Sequence, residues 1–474
     1  MSPHDTVAQR RIQAVSAASD LRSLRAAMAG TVVGPADAGW DAARQAWALA
    51  VDQQPAAVAL PESAADIVAI VNFARERGLR VAPQATGHNA HPLEHRLANA
   101  ILVKTERMRA VDIDPTNRRA RAESGAVWMD VIVPAAEHGL AAMAGSSPDV
   151  GVVGYTLGGG ISWLSRRYGL AANSVTAVEV VTPDGTHLRT DRDQHPDLFW
   201  ALRGGGGSFG IVTAIEIELR PITRVYAGAM FWPQGRAREV LQAWREWTQQ
   251  ELPDEVISVG RVLNIPPFPE IPEPLRGRSF VALEAVYLGD EAEGAELISP
   301  LRALAPEIDT FSTVPAAALS HLHMDPDHPV PGKGDGMLFS EMPAKAIDAF
   351  VAAATGDSGS ALLSAEIRQL GGAIARPAPE HGALGSIDAP YIMFAVGMTP
   401  TPELRDLVQT QVAGMQETLS PWSTPHFYMN FSERAIDSRL LYPHAYTYHR
   451  LRAIKAEYDP GDMIQSNHPI PPAR

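Results

Sequence analysis

At 474 residues the chain exceeds what one hydrophobic core ordinarily organises, which points to two domains or to one domain with a large insertion. With 46% hydrophobic residues, 20% charged residues and a net charge of -14, it reads as an acidic globular protein, which argues against long disorder and against nucleic acid or an anionic membrane as partners. It contains no cysteine, so disulfides, thiolate metal sites, thiol nucleophiles and cysteinyl cofactor links are excluded.

Residues 1–30 mix Arg and Asp with Ala and Leu, as a helical or frayed lead-in does, and they lack a continuous apolar signal segment. No window approaches the run of about 20 apolar residues that a membrane span needs, so the expected location is the cytoplasm. Ser63 with Asp66 three residues later predicts a capping box, and Ile67, Ile70, Val71 and Ala74 fall on one face of the helix that follows, closed by Gly78. A strand from Arg80 to Pro83 then runs into the turn Gln84-Ala85-Thr86-Gly87-His88-Asn89. Strands are predicted at 100–104, 111–114 and 119–123, and a helix at 127–138. Residues 145–175 are rich in glycine and poor in charge, as backbone packed against a flat or phosphorylated group would be. A hairpin turns at Pro183-Asp184-Gly185, and a strand over 211–219 follows the glycine run 204–207. Beyond residue 225, a helix over 237–249, proline-dense loops at 264–274 and a strand over 280–287 announce a second α+β domain. Residues 323–335 read as a loop rich in Pro, Gly and His, with no internal repeat anywhere in the chain.

A histidine after a strand and a small-residue turn is presented at the strand's end, where backbone N–H groups can also face an anion. In most proteins such a histidine is merely structural. Around it, however, the span Pro61 to Pro221 resembles the FAD-binding domain of the vanillyl-alcohol-oxidase superfamily, in its berberine-bridge-enzyme-like branch. The resemblance implies that Gly87-His88 supplies the histidine bonded to the flavin 8α-methyl carbon. The family's Arg-Ser/Gly-Gly-Gly-His is altered here to Gln84-Ala85-Thr86-Gly87-His88.

A second block, Pro148 to Gly160, resembles the family's Pro-Thr-Val-Gly-x-Gly-Gly run with its following triple glycine. Glycines there let main-chain amides approach a pyrophosphate or a flat ring, whereas the plainer alternative is a flexible loop. Some relatives place a cysteine bonded to flavin C6 just before that proline; here the residue is Ser147, so a second covalent link is excluded. Gly204 to Gly210 invites a dinucleotide-fingerprint reading, but it opens a strand and not a helix. In the resembled family this segment closes the FAD site.

Near the C-terminus, Tyr428-Met429-Asn430-Phe431 and the stretch from Arg450 to Ile470 resemble the family's C-terminal module. Strand alternation would set Tyr428 and Asn430 on one face, where a phenol of lowered pKa can take a substrate proton; the alternative is a tyrosine packed in a core. Glu366 to Ala373 resembles a segment of bacterial relatives, with Glu366 and Arg368 on one strand face. His321, His323 and His328 lack fixed carboxylate spacing and are expected as surface or pocket histidines, with no metal.

The resemblance therefore implies an α+β protein: a PCMH-type FAD-binding domain over residues 1–224 with its core at 55–222, a substrate domain with an antiparallel sheet over 225–425, and a C-terminal module over 426–474. The cofactor expected is FAD bonded to His88. Its expected surroundings are Pro83, Gln84, Ala85, Thr86, Gly87, Asn89, Ser147, Val150, Gly151, Gly154, Tyr155, Gly158, Gly159, Gly160, Tyr168, Gly169, Asn173, Gly210, Ile211, Val212 and Asn467. Tyr428 and Asn430 are the expected catalytic pair. The implied reaction moves a hydride from a C–H bond beside oxygen or nitrogen of a small molecule to flavin N5, with O2 or another acceptor such as a deazaflavin reoxidising it. A flavin carrier, or a relative with a decayed site, is the competing reading.

Overall fold

Short runs of Ala, Val, Ile and Leu bounded by Gly, Pro and Asp build three sheets. The computed structural model describes residues 21–269, 271–355 and 360–474; of the expected lead-in, residues 1–20 lie outside them, and Arg22–Ala27 is helical. In the first sheet, β1 (Thr31–Val33), β2 (Ala57–Leu60), β3 (Arg80–Gln84) and β4 (Ala100–Lys104) lie in the order β1-β2-β4-β3. β2, β4 and β3 run parallel and β1 antiparallel. The second holds β5 (Val111–Asp114), β6 (Arg119–Glu123), β7 (Val175–Val181), β8 (His187–Thr190) and β9 (Ile211–Glu218), antiparallel in the order β5-β6-β9-β7-β8.

The helix Ala64–Glu76 joins β2 to β3 and carries its predicted apolar face, Ile67, Ile70, Val71 and Ala74, into a core shared with Val81 and Ile101 of the first sheet and Val181 and Ile211 of the second. Only half of the expected capping box forms. Ser63 Oγ accepts the Asp66 N–H at 3.2 Å, but the Asp66 carboxylate turns away to take the N–H groups of Glu62, Ala29 and Gly30 at 2.8–3.0 Å. Asp66 is thus a clamp on the segment before β1. Asp66→Ala orphans three donors and is expected to cost on the order of 2 kcal/mol, seen as a lower urea midpoint; an unchanged midpoint would show that water replaces the carboxylate.

The third sheet comprises β10 (Arg224–Pro233), β11 (Val256–Asn264), β12 (Ser279–Tyr287), β13 (Ile308–Asp309), β14 (Ser312–Pro315), β15 (Gly332–Phe339), β16 (Leu362–Gln369) and β17 (Tyr391–Met398). Its order is β13-β10-β12-β11-β16-β17-β15, with β14 also on β10. The loop expected over 323–335 ends early, because Gly332 to Gly336 pair with Met398 to Phe394 and enter β15. Helices Ala237–Thr248, Ala344–Thr355 and Pro402–Leu419 cover one face, packing on Val262, Leu283, Ala365, Ile367 and Met393. Alternation therefore sends Arg261, Glu284, Glu366, Arg368 and Phe394 to the opposite face, toward the first two sheets.

The C-terminal stretch returns to the first sheet, where Gln465 donates to the Val81 carbonyl at 2.8 Å beside an Ile464–Val81 bridge. Fully buried Lys455 donates to the Ser208 carbonyl at 2.8 Å and pairs with Asp459, tying the 204–210 glycine run to the last helix.

Candidate active site

Strand β3 delivers the half-buried turn 85–89 beside Trp47 and Gly151. The main-chain N–H groups of Ala85, Thr86, Gly87, His88 and Asn89 donate to no acceptor among the described residues, while the Thr86 carbonyl accepts the Trp47 N–H at 2.9 Å. Five successive amides without a protein acceptor among the described residues are donors available to an anion. His88 stacks on the Trp47 ring, 3.9 Å between centroids and 18° between planes. Its Nε2 lies 3.2 Å from Asp149 Oδ1, and Nδ1 lies 2.7 Å from Thr86 Oγ1. Burial alone would raise the Asp149 carboxyl, but hydrogen bonds from His88, Trp47 and Ser147 hold it below its ordinary value. With Nε2–H donating to Asp149, Nδ1 keeps a lone pair that the Thr86 hydroxyl satisfies.

The 145–175 segment is largely buried and contains a helix that the glycines concealed, Val152–Leu157, which sinks Val152, Val153, Thr156 and Leu157 into the core. Gly151 faces Ala85, at whose Cβ its own would stand 3.0 Å away, so the two motif blocks touch. At Gly158 a Cβ would meet Asn430 Oδ1 at 1.9 Å, and Gly160 adopts a φ of +77° under the Tyr155 ring. Gly159 lies between Tyr428 and Leu384. Val150 and Ser147 are half-buried, and Gly154 is exposed.

The expected strand at Tyr428 is instead a 3-10 turn, Met429–Phe431. Phe431 N–H folds back to the Tyr428 carbonyl at 3.1 Å, and Asn89 Nδ2 donates to the carbonyls of Met429 and Ser432 at 3.2 Å, a tertiary tie that no local pattern reveals. The turn still brings the pair together: Tyr428 Oη accepts from Gly160 N–H at 2.9 Å and from Asn430 Nδ2 at 3.2 Å, and Asn430 also donates to the Tyr155 carbonyl. Burial pushes the Tyr428 phenol well above its ordinary value, the two hydrogen bonds and the Arg368 charge pulling back only in part. The lowered pKa expected of this residue is therefore absent from the protein's own groups.

The remaining expected residues have partners within the protein. Tyr168 sits under the guanidinium groups of Arg167 and Arg220, and Asn173 Nδ2 donates to the Gly385 carbonyl at 2.9 Å with Gly169 beside it, all on the contact with the third sheet's loops. Pro83 and Gln84 remain in β3, where Gln84 accepts from Gln53 at 2.8 Å. Gly210 packs on Val180 and Val181, leading into buried Ile211 and Val212; Asn467 caps the His468 N–H.

Sequence reasoning missed a buried charge cluster. His321 and His328 are exposed as expected, but His323 is only 2% exposed, because Glu284 and Glu366 receive its two ring nitrogens, Glu366 at 2.6 Å. Arg261 pairs with Glu284 at 2.7 Å, and Arg368 Nε donates to Glu366 at 2.6 Å. Burial and Arg261 both oppose a charged ring, yet the two carboxylates outweigh them and hold His323 above its ordinary value. The Arg368 guanidinium ends 5.1 Å over the Phe431 ring, which meets Tyr428 edge-on at 5.6 Å. Trp47 belongs to no motif, and the cluster is assembled from three strands and a loop, so neither left a local signal.

Residues 55–191 match the family described as FAD binding domain. Across 94% of its length the chain is 28% identical to (R)-6-hydroxynicotine oxidase of Paenarthrobacter nicotinovorans, covering 97% of that protein. It is 31% identical to glucooligosaccharide oxidase of Sarocladium strictum over 46% of this chain and 44% of that one. The structure of Physcomitrella patens BBE-like 1 shares the fold at a TM-score of 0.81 and 20% identity, over 96% of this chain and 99% of that one.

The residues fit FAD. The five free amides suit a pyrophosphate, and the buried Asn89 Oδ1 and Tyr155 Oη lack partners among the described residues, as groups facing a polar ligand do. Among the described residues no helix is long and apolar enough to cross a membrane.

Proposed function

The chain is a berberine-bridge-enzyme-like FAD-linked oxidase or dehydrogenase, and from that premise we propose that it holds its flavin through one covalent bond from His88 and oxidises a small molecule at a C–H bond beside oxygen or nitrogen. The observation that carries the reading is the His88 setting: a ring clamped by Trp47 and Asp149, with Nδ1 held only by the Thr86 hydroxyl, among five amides that have no acceptor among the described residues. A ring nitrogen bonds an electrophilic carbon through its lone pair, and with Nε2–H directed at Asp149 that nitrogen is Nδ1, from which the Thr86 hydroxyl must withdraw. When bound, FAD supplies a two-electron acceptor for hydride.

The protein's own groups orient and exclude. Gly151, Gly158 and Gly160 let backbone approach where side chains would collide, Asn89 and Asn430 fix the C-terminal turn against the 150s block, and Tyr428 Oη is the group to accept the substrate proton. Half-buried Val150 beside the turn favours O2 as final acceptor, by likeness to plant relatives, with Tyr155 narrowing the approach.

Acid precipitation tests the covalent claim. Yellow colour is expected to stay with the precipitated parent protein and to leave with the supernatant for His88→Ala; a parent that gives up all its flavin sinks the claim without touching the fold.

A further inference from the structure

Arg368 is pinned by two of its three nitrogens. Nε donates to Glu366, and Nη2 donates to Ser146 Oγ at 3.2 Å and lies the same distance from His323 Nε2. Nη1 donates to no acceptor among the described residues, although the side chain is only 11% exposed. A guanidinium held this firmly with one N–H pair unspent is a directional donor toward whatever lies beyond it. Aromatic rings stand beside the guanidinium: Phe431 under its face, Phe394 at 5.1 Å from Phe431, and Tyr428 edge-on to Phe431.

The charges around Arg368 decide which ligand suits that donor. On the same strand stands Glu366, on the neighbouring strands Arg261 and Glu284, on the loop His323 and Asp325, and no other charged side chain among the described residues bonds to this group. Both oxygens of Glu284 are held, by Arg261 and His323, and both of Glu366, by His323 and Arg368, so each buried carboxylate already has its counter-charges within the cluster. Asp325 takes the Ser146 hydroxyl at 3.3 Å, and its charge acts on Arg368 without a hydrogen bond to it. An ammonium arriving over Phe431 would meet a cation, whereas an oxyanion would meet a free N–H.

We propose that Arg368 Nη1 anchors an anionic oxygen of the substrate, a carboxylate or phenolate carried by a small flat molecule whose body lies among Phe431, Phe394 and Tyr428. This rests on the reading of Tyr428 as facing the reacting carbon, and it narrows the substrate class to acidic compounds. His323 and Glu366 serve it as positioning residues that hold the guanidinium still.

Calorimetric titration of the purified holoenzyme with benzoate and with benzylamine at neutral pH tests it without knowledge of the true substrate. Benzoate is expected to bind and benzylamine to give no saturable heat. Arg368→Met is expected to weaken benzoate by at least about tenfold, and Arg368→Lys, which keeps the charge but loses the fork, by less. No heat from benzoate, tighter binding of benzylamine, or benzoate affinity indifferent to Arg368→Met each overturns the anchor. Should Arg368→Met not fold, the parent's selectivity and the lysine variant decide. Flavin content is read separately from the visible band, so a colourless protein defeats the cofactor reading alone.

Discussion

Tyr428→Phe is expected to slow flavin reduction by roughly 10^2- to 10^3-fold in rapid mixing with a substrate that bleaches the flavin, with flavin content unchanged. The phenol oxygen receives two donors, Gly160 N–H and Asn430 Nδ2, and a third influence from the Arg368 charge. All three stabilise a phenolate more than a phenol, so they help to form the base before the substrate proton moves. Burial outweighs them in the resting protein and keeps the group protonated, well above the ordinary value of about 10. If the ionised phenol is the base, the parent's reduction rate climbs with pH through the neutral range without levelling, and the phenylalanine variant loses that slope. A phenylalanine variant that retains both rate and slope removes Tyr428 from the chemistry and leaves it a core residue.

The local parts of this site were legible because they are short-range. A strand, a small-residue turn and a histidine occupy nine consecutive positions, and the order of the glycine blocks identified the resemblance that gave His88 its meaning. Glycines at 151, 154 and 158 hid the helix Val152–Leu157, whose stability comes from burying Val152 and Leu157 and not from propensity. The Met429–Phe431 turn was read as a strand from its resemblance to the family's C-terminal module, but Asn89, some 340 positions away, holds it as a turn. Trp47 could not be found from sequence because its partners, His88 and Asp149, are set by folding alone. The charge cluster shows the same limit. Arg261, Glu284, His323 and Glu366 are each ordinary in their own segment, and only the third sheet's register, with the loop that carries His323 laid over it, brings them together.

That cluster carries the largest expected effect on stability. Glu284 has no exposed side-chain surface and holds both Arg261 and His323, so Glu284→Ala leaves two buried cations short of a partner and is expected to cost about 3–5 kcal/mol in the unfolding of the third-sheet region. The pH dependence follows from His323. Its folded value is raised above the unfolded value of about 6.5, so its contribution is complete below that value and is lost as pH rises through the folded one. In Glu284→Ala the ring keeps only Glu366, its folded value falls, and the deficit against the parent is largest in the acidic part of the range and shrinks once the parent's own ring has lost its proton. Urea midpoints across pH measure both the size and the slope. A deficit under about 1 kcal/mol, or one that grows toward alkaline pH, would mean that His323 is neutral between its two carboxylates. The brace on Arg368 would then be a set of hydrogen bonds and not of charges.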